Sequence, residues 1–421
     1  MRRTHRNAST VLFAAVVAFG WLATPASGQV ATAVERASPE SVGLSSEALE
    51  AIGPAMKQLI DGGRTGAIMT LVSRRGKVVH WEAEGWRVLD EDPLEPNDVF
   101  RIYSMTKPVT STAIMMLVEE GRIALTDPVS RFIPAFSDVR VYGEDGEMRS
   151  PSEPVTIWHL LTHTSGLTYG VFSNTPVDVM YREQLDALSM NTDRDLESTV
   201  DVLAGLPLIG DPGARWNYSM STDVLGRVVE VASGMSLADF FESRIFRPLG
   251  MDDTGFHVEP QNLSRFTAVY ERGEGGLRLA DSPVDGPFTR SPGWYSGGGG
   301  LTSTAADYLR FAQMMLNEGE LDGVRLLKTE TVREMTRNHL PDDLVPIGPL
   351  WPGQGFGLGF AVSVEENAGT YWWAGVANTY FWVDPEEELI AFAWTQFNPF
   401  GGAAIDRVLR PIVYGAITDG N

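Results

Sequence analysis

Strand-like runs stand near both ends of this chain, and helical runs fill the space between them. "GAIMTLVSRRGKVVHWEAEGW" reads as a β-hairpin, with Ala67–Ser73 pairing with Lys77–Gly85 across an Arg-Gly turn. Near the other end, "GTYWWAGVANTYFWVDPEEELIAFAWTQF" holds further aromatic strand-like runs around an Asp-Pro-Glu-Glu turn. From Ser104 to about Phe246 the pattern is mostly helical. The economical solution is one antiparallel sheet built from both ends, flanked by helices and interrupted by a helix-rich insertion, an α/β (α+β) architecture. We expect residues 38–103 with 282–421 to form the sheet domain and 104–281 the helix-rich domain. A length of 421 residues accommodates both. Further helices are expected in "LSSEALEAIGPAMKQLI", with a Ser cap before Glu47, in "TSTAADYLRFAQMMLNEGE" and in "GAAIDRVLRPIVYGAI", where Pro411 is a kink site. The Met and Leu stripe of Ala305–Leu316 reads as core.

The first residues have another logic. Arg2, Arg3 and Arg6 precede the apolar run Val11–Ala23, and Ala26-Ser27-Gly28 offers a small-x-small cleavage site. Residues 1–28 are therefore expected to be a secretory signal peptide, with the mature protein periplasmic or secreted and without a membrane anchor. The net charge of −22 argues against nucleic acid or an anionic membrane as partner. The chain has no cysteine, which removes disulfides, thiol nucleophiles and thiolate metal sites.

Chemistry concentrates in "FRIYSMTKPVTSTAIMMLVEEGRI", Phe100–Ile123. On a helix, residues i and i+3 are neighbours, so Ser104 and Lys107 share a face. Pro108 is tolerated there because the first turn has no intrahelical N–H bond to lose. A serine hydroxyl is a weak nucleophile until something takes its proton, and a lysine can take it when burial keeps the amine partly neutral. The spacing S-x-x-K thus makes sense as a nucleophile with its own proton acceptor. A second candidate is Tyr218, in a loop before a helix expected from about Thr222 to Ala232. A phenol beside a lysine loses its proton more easily and can relay protons. A third is "WWAGVANTYFWVDP", whose edge strand could set a backbone N–H opposite that of Ser104 as an oxyanion hole.

Together, Ser104-Met-Thr-Lys107, Tyr218-Ser-Met220 and Trp373-Ala-Gly375 resemble, in order and rough spacing, the penicillin-recognising serine enzymes: class C β-lactamases and, nearer still, family VIII carboxylesterases. Supporting stretches include "LLTHTSGL", "SGGGGLTSTAADYLRFAQMML" and "FGLGFAV". The resemblance covers roughly Ser38 to Thr418. It implies the β-lactamase/transpeptidase-like fold, an acyl-enzyme on Ser104, general acid and base work shared by Lys107 and Tyr218, and an oxyanion hole from the N–H groups of Ser104 and Val376. It departs from the β-lactamase pattern twice. Met220 stands where those enzymes carry Asn, and Trp373 where they carry Lys. Neither can bond the amide or the carboxylate of a drug, so an apolar pocket suited to neutral esters is expected around Trp373, Met220 and Gly375. Tyr169, Trp294, Tyr295 and Trp351 sit in loops that either line the cleft or serve packing, and of these Tyr169 is counted with the expected substrate-binding residues.

Rival signatures are weak. G-x-S-x-G is absent, which argues against an α/β-hydrolase elbow. His159 and His163 have zinc-pair spacing but no adjacent Glu, so no metal or other cofactor is expected. The Gly-rich "YSGGGGLTS" lacks the strand and Lys/Thr frame of a phosphate loop and reads as a close backbone approach. Three functions stay open. The first is an exported serine esterase acting on small-molecule esters. The second is a β-lactamase or D-Ala-D-Ala carboxypeptidase-type amidase. The third is a slow penicillin-binding or sensing protein. The oligomeric state is left open.

Overall fold

In the computed structural model, residues 1, 35–185, 194–349 and 351–419 are described. The expected signal peptide, residues 1–28, lies outside them apart from Met1. An eight-stranded antiparallel sheet is the frame. Its strands are β1 (Ala67–Arg74), β2 (Lys77–Val88), β3 (Asp92–Pro93), β4 (Gln354–Phe356), β5 (Ala361–Ser363), β6 (Tyr371–Gly375), β7 (Thr379–Asp384) and β8 (Leu389–Trp394), in the order β4-β5-β6-β7-β8-β1-β2-β3. The join between the two ends of the chain is β1 against β8, registered from Met69 opposite Trp394 to Arg74 opposite Leu389. Every residue of β8 is buried, which explains its unbroken apolar run: both faces of this strand are covered.

The helices that matter here are α1 (Ile52–Asp61), α2 (Thr106–Glu119), α3 (Ser221–Ser233), α4 (Ala305–Leu316) and α5 (Ile405–Gly415). Successive strand residues point to opposite faces. On β7, Phe381 meets Tyr308 of α4 with ring centres 5.1 Å apart, while Trp382 lies 4.7 Å beneath the Arg410 guanidinium of α5. So α4 covers one face of the sheet and α5, which packs on α1, covers the other. Among the described residues, no helix is long and apolar enough to cross a membrane.

The expected elements appear with small shifts. The hairpin extends to Arg74 and Val88, and α3 and α4 begin at Ser221 and Ala305, the latter capped by Thr304. Two features differ from expectation. The stretch 104–281 also holds the antiparallel pair Val269–Gly273 and Gly276–Asp281. And α2, which looks amphipathic in sequence, is buried all round from Thr106 to Leu117. Its small hydroxyl residues let it sit deep: Thr110, for example, donates to the carbonyl of Gly297 at 2.7 Å.

The approach to α2 is pinned by Arg101, which is fully buried. Its guanidinium reaches Asp281 at 2.7 Å and the carbonyls of Thr267 and Ser282, and stacks 3.9 Å from the Phe266 ring. A buried cation stripped of its carboxylate is strongly unfavourable. Asp281→Ala is therefore expected to lower stability by about 3 kcal/mol in chemical denaturation, and a change within the ordinary range of surface substitutions would show that the pair does not matter.

Candidate active site

Ser104 does not sit in the first turn of an α-helix. It lies in a 3-10 turn, Tyr103–Met105, that leads into α2. Tyr103 immediately before it has φ 41°, in the left-handed region that side chains rarely adopt. The turn lifts the half-buried serine toward the open side of the site, while Lys107 drops into the protein interior, 1% exposed.

Three acceptors surround the Lys107 amine: Gly298 O at 2.6 Å, Tyr169 Oη at 2.9 Å and Ser104 Oγ at 3.2 Å. Tyr218 donates its phenol proton to Ser104 Oγ at 2.6 Å. Burial pushes the Lys107 ammonium down to about 7, opposed by the charge of Asp223. Burial pushes Tyr218 the other way, well above the usual phenol range, and the same holds for Tyr169. This corrects the expectation that Tyr218 loses its proton easily: at neutral pH it is a proton donor, and the amine of Lys107 is the group able to accept. With two N–H groups directed at Gly298 and Tyr169, a neutral amine has its lone pair left for the Ser104 proton.

Aromatic rings wall this centre. Around the Tyr218 ring stand Tyr169 and Trp373 at 5.2 Å, Phe172 at 5.6 Å and Trp216, stacked at 6.3 Å with 12° between planes. Phe172 is 61% exposed, an apolar ring left at the surface beside the reactive groups. Trp351 joins through Trp216 and Trp373. Trp294 is buried and Tyr295 packs on Phe256 at 5.0 Å, so these two belong to the packing alternative.

The other expected site residues divide. Trp373 is at the site, 4% exposed. Met220 is 1% exposed and packs into the hydrophobic core at the start of α3, so it offers little surface to a substrate. Tyr169 was expected to line the cleft, and it holds the lysine instead. Gly375 ends β6, and a Cβ there would come within 2.4 Å of the Ile102 carbonyl and 2.3 Å of Thr379 Oγ1. That close approach brings the strand end, followed by the half-buried Val376, against the turn carrying Ser104. Sequence reasoning missed Gly298, Phe172, Trp216 and Asp223. The run of four glycines was a signal for the first, since close backbone approach is what such a run permits.

The two histidines considered as a zinc pair are engaged separately, His159 Nδ1 with Thr156 and His163 Nδ1 with Ser219 at 3.1 Å. Among the described residues no cluster of His, Asp or Glu has metal-binding geometry. A separate cavity of about 880 Å³, lined by Trp372, Trp382 and Arg410, shares Trp351 with the aromatic wall but holds none of Ser104, Lys107, Tyr169 and Tyr218.

A serine whose hydroxyl is shared by a buried amine and a phenol, set between an antiparallel sheet and a buried helix, is the hallmark of the serine hydrolases of β-lactamase/transpeptidase-like fold. The beta-lactamase family matches residues 52–412, and the chain belongs to it. It is 35% identical over 364 residues to an uncharacterized protein of Mycobacterium tuberculosis, an alignment covering 82% of this chain and 89% of the relative. Esterase EstB of Burkholderia gladioli is 34% identical over 349 residues, covering 76% and 82%. Among solved structures, EstCE1, described as a hydrolase with promiscuous acyltransferase activity, matches with a TM-score of 0.77 and 26% identity over 87% of this chain and 98% of that one. Unliganded simvastatin synthase from Aspergillus terreus shares the fold, with a TM-score of 0.74.

Gly375→Ala is expected to reduce turnover on the order of 10²-fold and to lower stability by about 1–3 kcal/mol, because the added methyl pushes the strand end away from the Ile102 carbonyl and the turn carrying Ser104. Near-wild-type kinetics would show that β6 does not shape the reacting centre.

Proposed function

We propose that this protein is a carboxylesterase that cleaves neutral small-molecule esters of apolar acids through an acyl-enzyme on Ser104. The observation that carries the reading is the Ser104 hydroxyl, 2.6 Å from the Tyr218 phenol and 3.2 Å from a buried Lys107 amine. Neutral Lys107 takes the Ser104 proton as Oγ attacks the ester carbonyl carbon. The carbonyl oxygen becomes an oxyanion, received by the N–H groups of Ser104 and Val376. Tyr218 gives its proton to the departing alkoxide, and the lysine ammonium restores the phenol through the hydrogen-bonded set. Water then enters and loses a proton to the same base as its oxygen attacks the acyl carbon, and that proton passes to Ser104 Oγ as the C–Oγ bond breaks and the acid leaves.

The aromatic wall supports the choice of an apolar acid. Trp373 has no charge with which to bind the carboxylate of a β-lactam, and Lys107 faces inward. The esterase and hydrolase names borne by similar proteins agree with this reading, which ranks an amidase or a slow penicillin-binding protein below an esterase. We further propose that residues 1–28 direct export and are removed, leaving a periplasmic or secreted enzyme. The N-terminal sequence pattern supports this part.

Side-by-side assays with p-nitrophenyl esters, a chromogenic cephalosporin and a D-Ala-D-Ala peptide test the assignment. Ester turnover is expected to dominate and to vanish in Ser104→Ala, with Tyr218→Phe slower by roughly 10²- to 10⁴-fold. Cephalosporin hydrolysis at a comparable rate would overturn the ester preference, and full activity in Ser104→Ala would overturn the mechanism. A second outcome concerns pH. The base works when neutral, so kcat/KM should rise with pH through about 7, the value to which burial brings Lys107. A rise centred near an ordinary lysine value would mean the amine is not desolvated.

A further inference from the structure

The chemistry above leaves one buried charge without a task. Asp223, in the first turn of α3, is 2% exposed. Its Oδ1 accepts from Ser296 Oγ at 2.6 Å and from the Gly298 N–H at 3.0 Å. The carbonyl of the same Gly298 accepts from Lys107 at 2.6 Å. One peptide-linked residue is thus held by a carboxylate on its N–H and by the amine on its oxygen.

The glycines make this fit possible. A Cβ on Gly298 would lie 2.5 Å from Asp223 Oδ2 and 3.0 Å from the Tyr169 hydroxyl, and one on Gly297 would lie 2.6 Å from the Thr222 carbonyl. A Cβ essentially never comes closer than 3.0 Å to another heavy atom, so residues without side chains let the loop pass between α3 and the amine. This gives the Gly-rich "SGGGG" a physical reason that phosphate binding does not.

We propose that Asp223 is a positioning residue for the Ser104 chemistry: it clamps the Ser296–Gly298 loop against Lys107 and supplies the negative field that keeps the buried amine basic enough to take the serine proton. The proposal rests on the assignment of Ser104 and Lys107 made above. The titratable groups facing the amine are Asp223 from α3, Tyr218 just before that helix, and Tyr169 and His163 from the 163–169 segment. Burial keeps both tyrosines protonated and His163 neutral at ordinary pH. Burial also raises the Asp223 carboxyl, while Lys107 and the bonds from Ser296 and Gly298 pull it back toward ionisation. Of these groups Asp223 is the one whose charge acts on Lys107, opposing the effect of burial on the amine. Desolvation alone would leave the amine too weak a base, since a base is most effective near the working pH.

The chain has four lysines, at 57, 77, 107 and 328, which permits a direct test. Full-length protein labelled with ε-¹³C lysine is titrated by NMR, with the Lys107 signal assigned by its absence in Lys107→Arg. Asp223→Asn keeps the shape and removes the charge, and it is expected to lower the Lys107 midpoint by about one to two pH units. The acidic limb of kcat/KM should move down with it. Ser296→Ala, which removes one of the carboxylate's bonds, is expected to lower the midpoint by less. An unmoved midpoint in folded Asp223→Asn overturns the proposal, and if that variant does not fold, an unmoved midpoint in Ser296→Ala does so. The two assignments fail separately. Loss of Ser104-dependent ester turnover in the wild type would sink the esterase reading, while the lysine titration still decides the role of Asp223.

Discussion

An ammonium group does not belong in the interior of a protein, and the structure around Ser104 follows from the placement of one there. Lys107 is stripped of water and receives three hydrogen-bond acceptors in return: a backbone carbonyl, a phenol and the serine hydroxyl. Two of them hold it in either charge state. The third accepts a hydrogen bond from the ammonium and gives a proton to the amine. Desolvation lowers the proton affinity of the group to the point where both states are within reach at neutral pH. The fully buried helix α2, the left-handed Tyr103 and the glycine run at 297–300 are the arrangements that let the side chain go in while the serine stays out.

The sheet supplies the other half. Because strands from both ends of the chain join in one sheet at the β1–β8 seam, β6 reaches the turn around Ser104 from a point some 270 residues further along the sequence. Gly375 lets the strand end meet Ile102 backbone to backbone, and the aromatic side chains of this region then frame the serine. An apolar wall has two consequences. It excludes water from the amine, and it is the feature on which the proposed preference for an uncharged acid part rests.

Much of this was legible in the sequence. Period-two patterning found the hairpin and the strands of the C-terminal part, and period-3.6 patterning with caps found α3, α4 and α5. The S-x-x-K spacing and the Tyr218 loop located three groups that meet in space, although 114 residues separate Ser104 from Tyr218. What stayed hidden depends on long-range packing. Met220 reads as a pocket residue by position, yet α3 turns it into the core. Tyr169 reads as a cleft aromatic, yet it is spent on Lys107. Tyr218 reads as an acidic phenol, yet burial outweighs the neighbouring amine. The partner of Lys107 on the glycine loop, 191 residues away, leaves no trace in local pattern. The strand pair Val269–Gly273 with Gly276–Asp281 was missed because the surrounding segments are helical.

The claim on which everything turns is that a buried amine activates Ser104. The most direct measurement is the rate at which a fluorophosphonate labels Ser104, followed by mass spectrometry across pH. Control by Lys107 requires labelling at Ser104 that rises with a midpoint near the value of about 7 set by burial and collapses in Lys107→Ala. Labelling that is independent of pH, unaffected by loss of Lys107, or directed at another serine would contradict it.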